Sequence, residues 1–389
     1  MNSQDTELPF MKLWTCYNDG MNDKSAFKEN FIWFIAVLAV VIGAVSLIMT
    51  LLSRQLESKS ESQPTTSSQF WIDQEEISVV NVLAAGAVMP MGMEEDGSTV
   101  FADIEKTVRN YEVAALSSHA LVGTDLTSAF ADRFYSTGFT MCGLAYPEVF
   151  SEGRDAVDKA IDYWVDSKLR ISGINASTDA RNQLRITEVS GITAAYLSFT
   201  DGLTDPLPEN EKYLVNLYED EKTPAFVSKA AELADIVVVS ICWDGADGEL
   251  PTERQKQIAN DLADAGASVI IGYSENAVQP VAWIDDTLVF YSLGNLVSQD
   301  DSVRERIGAL GSVTITKTVR GSQKRVELTN PKVDLIVSVP SSEEENGSGW
   351  KTVFLRTAGS LAEDSRALYD SYTETLHRMD DSIRIGGLG

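Results

Sequence analysis

One uncharged apolar run constrains this chain more than any other feature: Phe31 to Leu52, reading FIWFIAVLAVVIGAVSLIMTLL. At ~1.5 Å per residue such a helix is about 33 Å long, enough for a hydrocarbon core of roughly 30 Å. A buried core helix would carry a polar stripe, and this run has none. A secretory signal would have a shorter apolar region and an Ala-x-Ala-like site, whereas SRQLESKSESQ follows Leu52. Trp33 lies near one end, where an interfacial aromatic belongs. The expectation is an uncleaved anchor over 31–52, with the lipid bilayer as partner. Lys12, Lys24 and Lys28 precede it and Arg54 and Lys59 follow. That bias predicts a cytoplasmic N-terminus and an extracellular C-terminal domain, single-pass in the cell membrane.

The organisation that follows is a tail over 1–30, the span 31–52, and a Ser/Thr-rich stalk over 53–76. A main domain over 77–358 and a helix with a Gly-rich tail over 359–389 complete it. Within the domain, SVVNVLAA (78–85) predicts an apolar strand ending at Gly86. Residues 101–111 predict a helix, and Val113–Leu116 and Phe139–Cys142 predict strands. Val157, Ala160, Ile161, Trp164 and Val165 recur at helical spacing. Residues 186–189 and 192–199 predict a hairpin about Ser190-Gly191. Helix 222–233, strand Asp235–Ile241, a helix opened by Pro251, and strands Ser268–Ile271 and Thr287–Leu293 follow. Further strands are expected at 312–318, 325–328, 333–339 and 352–356. Continuous apolar strands alternating with amphipathic helices imply an α/β sheet covered on both faces. Ligand sites in such sheets lie beyond the carboxyl ends of strands. The loops concerned are Gly86–Met91, Ser117–Ala120, Gly143–Gly153, Cys242–Glu249 and Gly272–Gln279.

A formal net charge of -27 repels phosphate backbones, so no nucleic-acid partner is expected. Three cysteines are too few for a disulfide framework. Cys142 and Cys242 both fall at strand ends, as a disulfide or as two small buried thiols, the second being favoured. Only two histidines occur, His119 and His377, read as a polar loop residue and a surface helix residue.

Three stretches carry a resemblance: ADIVVVSICWDG (234–245), PTERQKQIANDLADAGASVIIG (251–272) and VQPVAWIDDTLVFYSLGNLVSQ (278–299). Together they resemble the CapA family of capsule and poly-γ-glutamate synthesis proteins, over roughly 78–300. The resemblance implies a metallophosphatase-like four-layer αββα sandwich, and an N-terminal anchor fits it. The signature YSLGN is intact at Tyr291–Asn295, but the motifs that would hold metal are not. Where the family's first strand ends in Gly-Asp, this chain has Gly86-Ala87. Its Asn-x-Glu is replaced by Ser117-Ser118-His119. Its Ala-Asn-Asn-His-x-x-Asp-x-Gly falls on 145–153, placing Pro147, Glu148 and Ser151 at ligand positions. Its His-Trp-Gly becomes Cys242-Trp243-Asp244, its His-Pro-His becomes Ser274-Glu275-Asn276, and the Glu before Trp283 is Ala282.

A two-metal centre of this type needs carboxylates, amides and several imidazoles about two ions about 3.5–4 Å apart. Two histidines cannot rebuild it. The degenerate site positions are therefore Ala87, Ser117, His119, Pro147, Glu148, Ser151, Cys242, Asp244, Ser274 and Asn276, with no catalytic residue, metal or cofactor expected. Glu148, Asp244, Asp247, Glu249 and Glu275 stand open to two readings, a hard-cation site or a solvated acidic rim, the rim being favoured. The resulting expectation is a membrane-anchored binding or scaffold protein of envelope-polymer synthesis or export. Its partners would be the polymer or polymer-synthesis membrane proteins. The alternative is a hydrolase or transferase on such a polymer with an altered metal or metal-free site. No histidine is evidently placed in sequence to activate Cys242.

Overall fold

The computed structural model describes residues 36, 39–50, 75–89, 99–244, 248–273, 277–341, 349–362 and 364–389. The chain separates into two units, Met1–Ile72 and Asp73–Gly389. In the first, residues 36 and 39–50 are helical and the rest of the expected anchor, tail and stalk lies outside the described residues. Among the described residues no helix is long and apolar enough to cross a membrane.

The second unit is built on two sheets. The larger runs in the order β14-β13-β12-β1-β2-β3-β4, with β11 added to β1 and β15 to β13. Its strands are β1 (Glu75–Val88), β2 (Val113–Ser118), β3 (Met141–Gly143), β4 (Arg170–Ser172), β11 (Asn295–Val297), β12 (Ile307–Arg320), β13 (Gln323–Pro340), β14 (Trp350–Phe354) and β15 (Arg384–Ile385). The smaller runs β5-β6-β7-β8-β10-β9. Its members are β5 (Ile186–Val189), β6 (Ile192–Thr200), β7 (Ile236–Cys242), β8 (Val269–Tyr273), β9 (Val281–Ile284) and β10 (Thr287–Phe290).

Helices α1 (Ala102–Val108), α2 (Ser128–Thr137) and α3 (Arg154–Val165) link the parallel strands β1 to β4. Helices α5 (Lys222–Leu233) and α6 (Glu253–Asp264) link the parallel strands β6, β7 and β8. Between the two sets lies the short α4 (Thr178–Asn182), and α7 (Ser365–His377) closes the chain.

Strand alternation assigns the faces of the smaller sheet. Ala194, Tyr196, Ile236, Val238, Val269, Ile271, Leu288 and Phe290 join the core shared with the larger sheet. Their neighbours Ala195, Leu197, Val237, Val239 and Ile270 pack instead with Val227 and Ala230 of α5 and Ile258, Ala259 and Leu262 of α6. This two-sided burial is why β7 reads VVVSI without alternation. The larger sheet approaches the smaller so closely at β3 that a Cβ on Gly143 would strike the hydroxyls of Ser240, Ser198 and Tyr196.

Several elements differ from expectation for local reasons. Strand β10 stops at Phe290 because Tyr291–Gly294 turn, with Gly294 at φ 57°. The two strands expected at 325–328 and 333–339 are one strand, β13, carried past Asn330-Pro331 with Asn330 at φ 59°. The Gly-rich C-terminus adds β15, tied to α7 by a 2.8 Å contact between His377 Nε2 and the Ile383 carbonyl.

Candidate functional site

The parallel strands of both sheets deliver their carboxyl ends to one region, where most of the singled-out positions meet. Ala87, at the end of β1, is a register partner of both Ser117 on β2 and Asn295 on β11. Its N–H donates to the Gly294 carbonyl at 2.9 Å, and a Cβ on Gly86 would overlap that same carbonyl. The YSLGN turn therefore seals the end of β1, and Gly86 is required by close approach rather than by its own torsions. Ser117 is buried and donates to the Gly143 carbonyl at 3.3 Å.

His119 follows directly. Its backbone N–H donates to the Val88 carbonyl at 3.1 Å, which fixes the ring over the strand ends. The imidazole stacks on Tyr146, with centroids 5.3 Å apart and an 11° interplanar angle, and meets the edge of Tyr273 at 6.4 Å. Nε2 lies 3.7 Å from the Sγ of Cys242. The sequence reading that no histidine is placed to meet Cys242 is thus corrected: β2 and β7 belong to different sheets, and only sheet packing brings residues 119 and 242 together. Cys242 is buried next to Tyr273, its register partner on β8. Desolvation lowers the His119 pKa to about 4, so the ring is a neutral base at ordinary pH. Cys142 and Cys242 are both thiols. Burial pushes the Cys142 thiol far up, against a smaller opposing effect from the Ser118 backbone, so it stays protonated. Tyr146 is pushed up first by burial and then by the charges of Asp125 and Glu148.

The loop after β3 faces the segment 201–205. The Thr204 N–H donates to the Pro147 carbonyl at 3.0 Å, and the Thr204 hydroxyl to the Glu148 carboxylate at 3.2 Å. Ser151 donates to Asp205 at 2.6 Å. Asp244 lies against Gly202, and the Asp201 N–H donates to the Cys242 carbonyl at 2.8 Å. Segment 201–205 thus joins the β3 and β7 ends, a role no sequence pattern announced. Ser274, Asn276, Asp247 and Glu275 lie outside the described residues. Glu249 pairs with Arg304 at 2.7 Å and Arg378 at 3.2 Å, so it is not part of an acidic cluster with Glu148 and Asp244.

A buried amide network ties the start of α6 to Gly248. Thr252 and Gln255 form a capping box at α6, Gln255 donates to Gln279 at 3.2 Å, and Gln279 donates to the Gly248 carbonyl at 2.8 Å. Trp243 donates to the Tyr291 carbonyl at 2.6 Å, leaving no space for a Cβ on Gly272. The surviving Trp and the YSLGN signature therefore hold the same scaffold contact.

A metallophosphatase-like centre is the group this scaffold implies, and the donor set does not fit it. Ala87 and Pro147 offer no side-chain lone pair. Ser117 offers only a neutral hydroxyl, its proton directed to the Gly143 carbonyl, and Ser151 and Glu148 bond to segment 201–205. Among the described residues no three His, Cys, Asp or Glu side chains are grouped to hold a metal ion.

Residues 84–300 match the model of the family described as bacterial capsule synthesis protein PGA_cap. The chain belongs to this family. Within it, the chain is 27% identical over 248 residues to the PGA biosynthesis protein CapA of Bacillus subtilis (strain 168), covering 63% of each. It is 25% identical over 212 residues to the capsule biosynthesis protein CapA of Bacillus anthracis, covering 52% of this chain and 49% of that protein. The chain thus matches between about half and two thirds of the length of these capsule-synthesis relatives. Among solved structures, a putative 5′-nucleotidase from Staphylococcus aureus in complex with alpha-ketoglutarate aligns with 76% of this chain and 58% of that one. Its identity is 13% and its TM-score 0.44, a likeness that carries no argument here. All ten positions singled out in the sequence fall inside the family match.

Proposed function

We propose that this capsule-synthesis family member is a membrane-anchored protein that binds or scaffolds an envelope polymer of the poly-γ-glutamate type during synthesis or export. In this reading it keeps the metallophosphatase-like four-layer scaffold and has given up its metal chemistry. The domain sits outside the cytoplasm on the anchor 31–52. The observation that carries the reading is the donor set: where the family's motifs place ligands, Ala87 and Pro147 present no side-chain ligand atom and Ser117 only a neutral hydroxyl oriented by the Gly143 carbonyl. Losing one partner behind a metal ligand costs about 10–100-fold in affinity or activity. Here the ligand groups themselves are missing from several strands. Elemental analysis of protein purified without chelator, beside a phosphodiesterase screen with added Mn²⁺, tests this. The expected result is no stoichiometric transition metal and no turnover; two metal equivalents per chain with turnover would sink it.

A second reading, a metal-free hydrolase or transferase acting on the polymer, is favoured by one contact. In that reading the Cys242 sulfur attacks an acyl carbon of the polymer while neutral His119, 3.7 Å away, takes the thiol proton and passes it to the departing amine, and water or an acceptor amine then releases the acyl group from the sulfur. Polymer turnover that survives chelation and is abolished by Cys242→Ala would establish it over the scaffold reading.

A further inference from the structure

Strand β1 outruns its neighbour on one side. It pairs with β12 from Glu75 onward, but β2 joins it only at Val82. On that second side residues 75–81 have no described strand beside them. One bond fixes the direction of the backbone groups there. The Asn81 N–H donates to the Glu112 carboxylate at 2.8 Å, so it points away from β12. Strand alternation points the N–H and C=O of Ile77 and Val79 the same way, while Ser78 and Val80 bond inward to β12. Glu112 satisfies Asn81, and among the described residues no side chain does the same for Ile77 or Val79. The two side chains are exposed as well, Ile77 by 60% and Val79 by 45%. An open edge is ordinarily blunted by a charge, a proline or a bulge. Glu75 and Glu76 stand at its start, but Ile77 to Val80 carry neither charge nor proline.

The sequence about Ser78 is self-complementary for antiparallel pairing. With a two-fold axis at Ser78, Ile77 of one copy lies opposite Val79 of the other, and Val79 opposite Ile77. Both pairs join outward-facing residues, so each exchanges its N–H···O=C bonds and sets an Ile against a Val on one face of the sheet. Ser78 meets Ser78 between them, and Glu76 falls opposite Val80. A parallel pairing in register would set Glu76 beside Glu76, the like-charge arrangement that destabilises a sheet. We propose that β1 pairs antiparallel about Ser78 with β1 of a second copy of this chain, joining the two larger sheets into one. The strand-end region stays open, because Ala87 lies about 26 Å further along the strand than Val79. Two charge effects oppose the pairing. Each copy carries a net charge of -27, and Glu75 of one copy falls beside the Glu112 that caps Asn81 of the other. Salt screens both, so the dimer tightens as ionic strength rises.

The test is sedimentation of the full chain in detergent micelles, over a range of protein and salt concentrations. The wild type should form a dimer that strengthens with salt. Ile77→Pro deletes an outward N–H and no bond to β12, so the melting temperature should hold. The dimer should weaken about tenfold or more, since one hydrogen bond is lost from each copy. The register is read by cross-linking in a Cys16→Ser background, Cys142 and Cys242 being buried. Under mild oxidation Ser78→Cys should link to its own copy, because a non-bonded antiparallel pair sets Cα atoms about 4.5 Å apart, within disulfide reach. Glu76→Cys should not, since it faces residue 80. A wild type that stays monomeric at every concentration overturns the pairing, and slow exchange of the Ile77 and Val79 amides in that monomer would give the edge to the chain's own segment 53–74. A dimer untouched by Ile77→Pro places the seam elsewhere and overturns it too. Cross-linking through both cysteines means a parallel register and overturns the antiparallel one.

Discussion

A thiol and an imidazole 3.7 Å apart in a largely aromatic pocket behave differently from either group in water. Tyr146 and Tyr273 shield the His119 ring, and removing water disfavours its charged form. The ring should therefore titrate near 4 rather than near the ordinary value of about 6.5, as followed by its carbon-bound proton resonances. The sign for stability follows from proton counting. Between about 6.5 and the lowered value the unfolded chain holds the proton and the folded chain does not, so folding stability falls as pH drops through that window. Tyr146→Ala should open the pocket, raise the His119 pKa towards its ordinary value, and flatten that part of the profile. A wild-type His119 titrating near 6.5 would mean water reaches the ring and that the aromatic pocket does not desolvate it. Cys142, buried and pushed upward by burial, should resist iodoacetamide in the folded protein at pH values where an exposed thiol reacts.

At the scale of elements, the two sheets are pinned at the edge opposite the site by one carboxylate. Asp235, just before β7, bonds Lys317 of β12 at 2.8 Å and Lys324 of β13 at 2.9 Å, and accepts from Thr193 of β6 at 2.9 Å. Burial alone would raise its pKa. The two ammonium groups and Thr193 outweigh that and hold it well below the carboxylate range. A depressed folded value contributes stability above the unfolded pKa of about 4, and that stability is lost as pH falls through the folded value. Asp235→Asn should lower stability at neutral pH by about 1.5–3 kcal/mol, the scale of hydrogen bonds to charged groups. Denaturant curves for the variant should converge on wild type as the pH drops below 4. A constant difference at all pH values would assign the loss to packing instead. The β-α order, the Ser190-Gly191 hairpin and helices α3, α5 and α6 were legible in sequence, because apolar periodicity and turn residues are local signals. Helix α2, strands β4 and β9 and the join made by segment 201–205 were not, because short or irregular pieces owe their form to what they pack against. The His119–Cys242 contact was invisible for the same reason: residues 123 apart in sequence meet only through the facing of two sheets.

The whole molecule is the scale at which charge acts. The chain carries a net charge of -27, most of it on the domain that follows the polar segment 53–76. Anionic headgroups repel such a domain, with a field that decays over about 8 Å at physiological salt. The arrangement we propose is an acidic domain outside the cytoplasm on the anchor 31–52. This arrangement predicts that protease added to intact protoplasts removes the domain and leaves a small membrane-bound fragment carrying an N-terminal tag. It also predicts that stalk deletion lowers polymer capture by vesicles rich in anionic lipid more than by neutral vesicles, because only the former repel the domain. A domain protected from protease while the N-terminal tag is cleaved would reverse the orientation. Equal capture by the two vesicle types would show that the stalk spaces nothing.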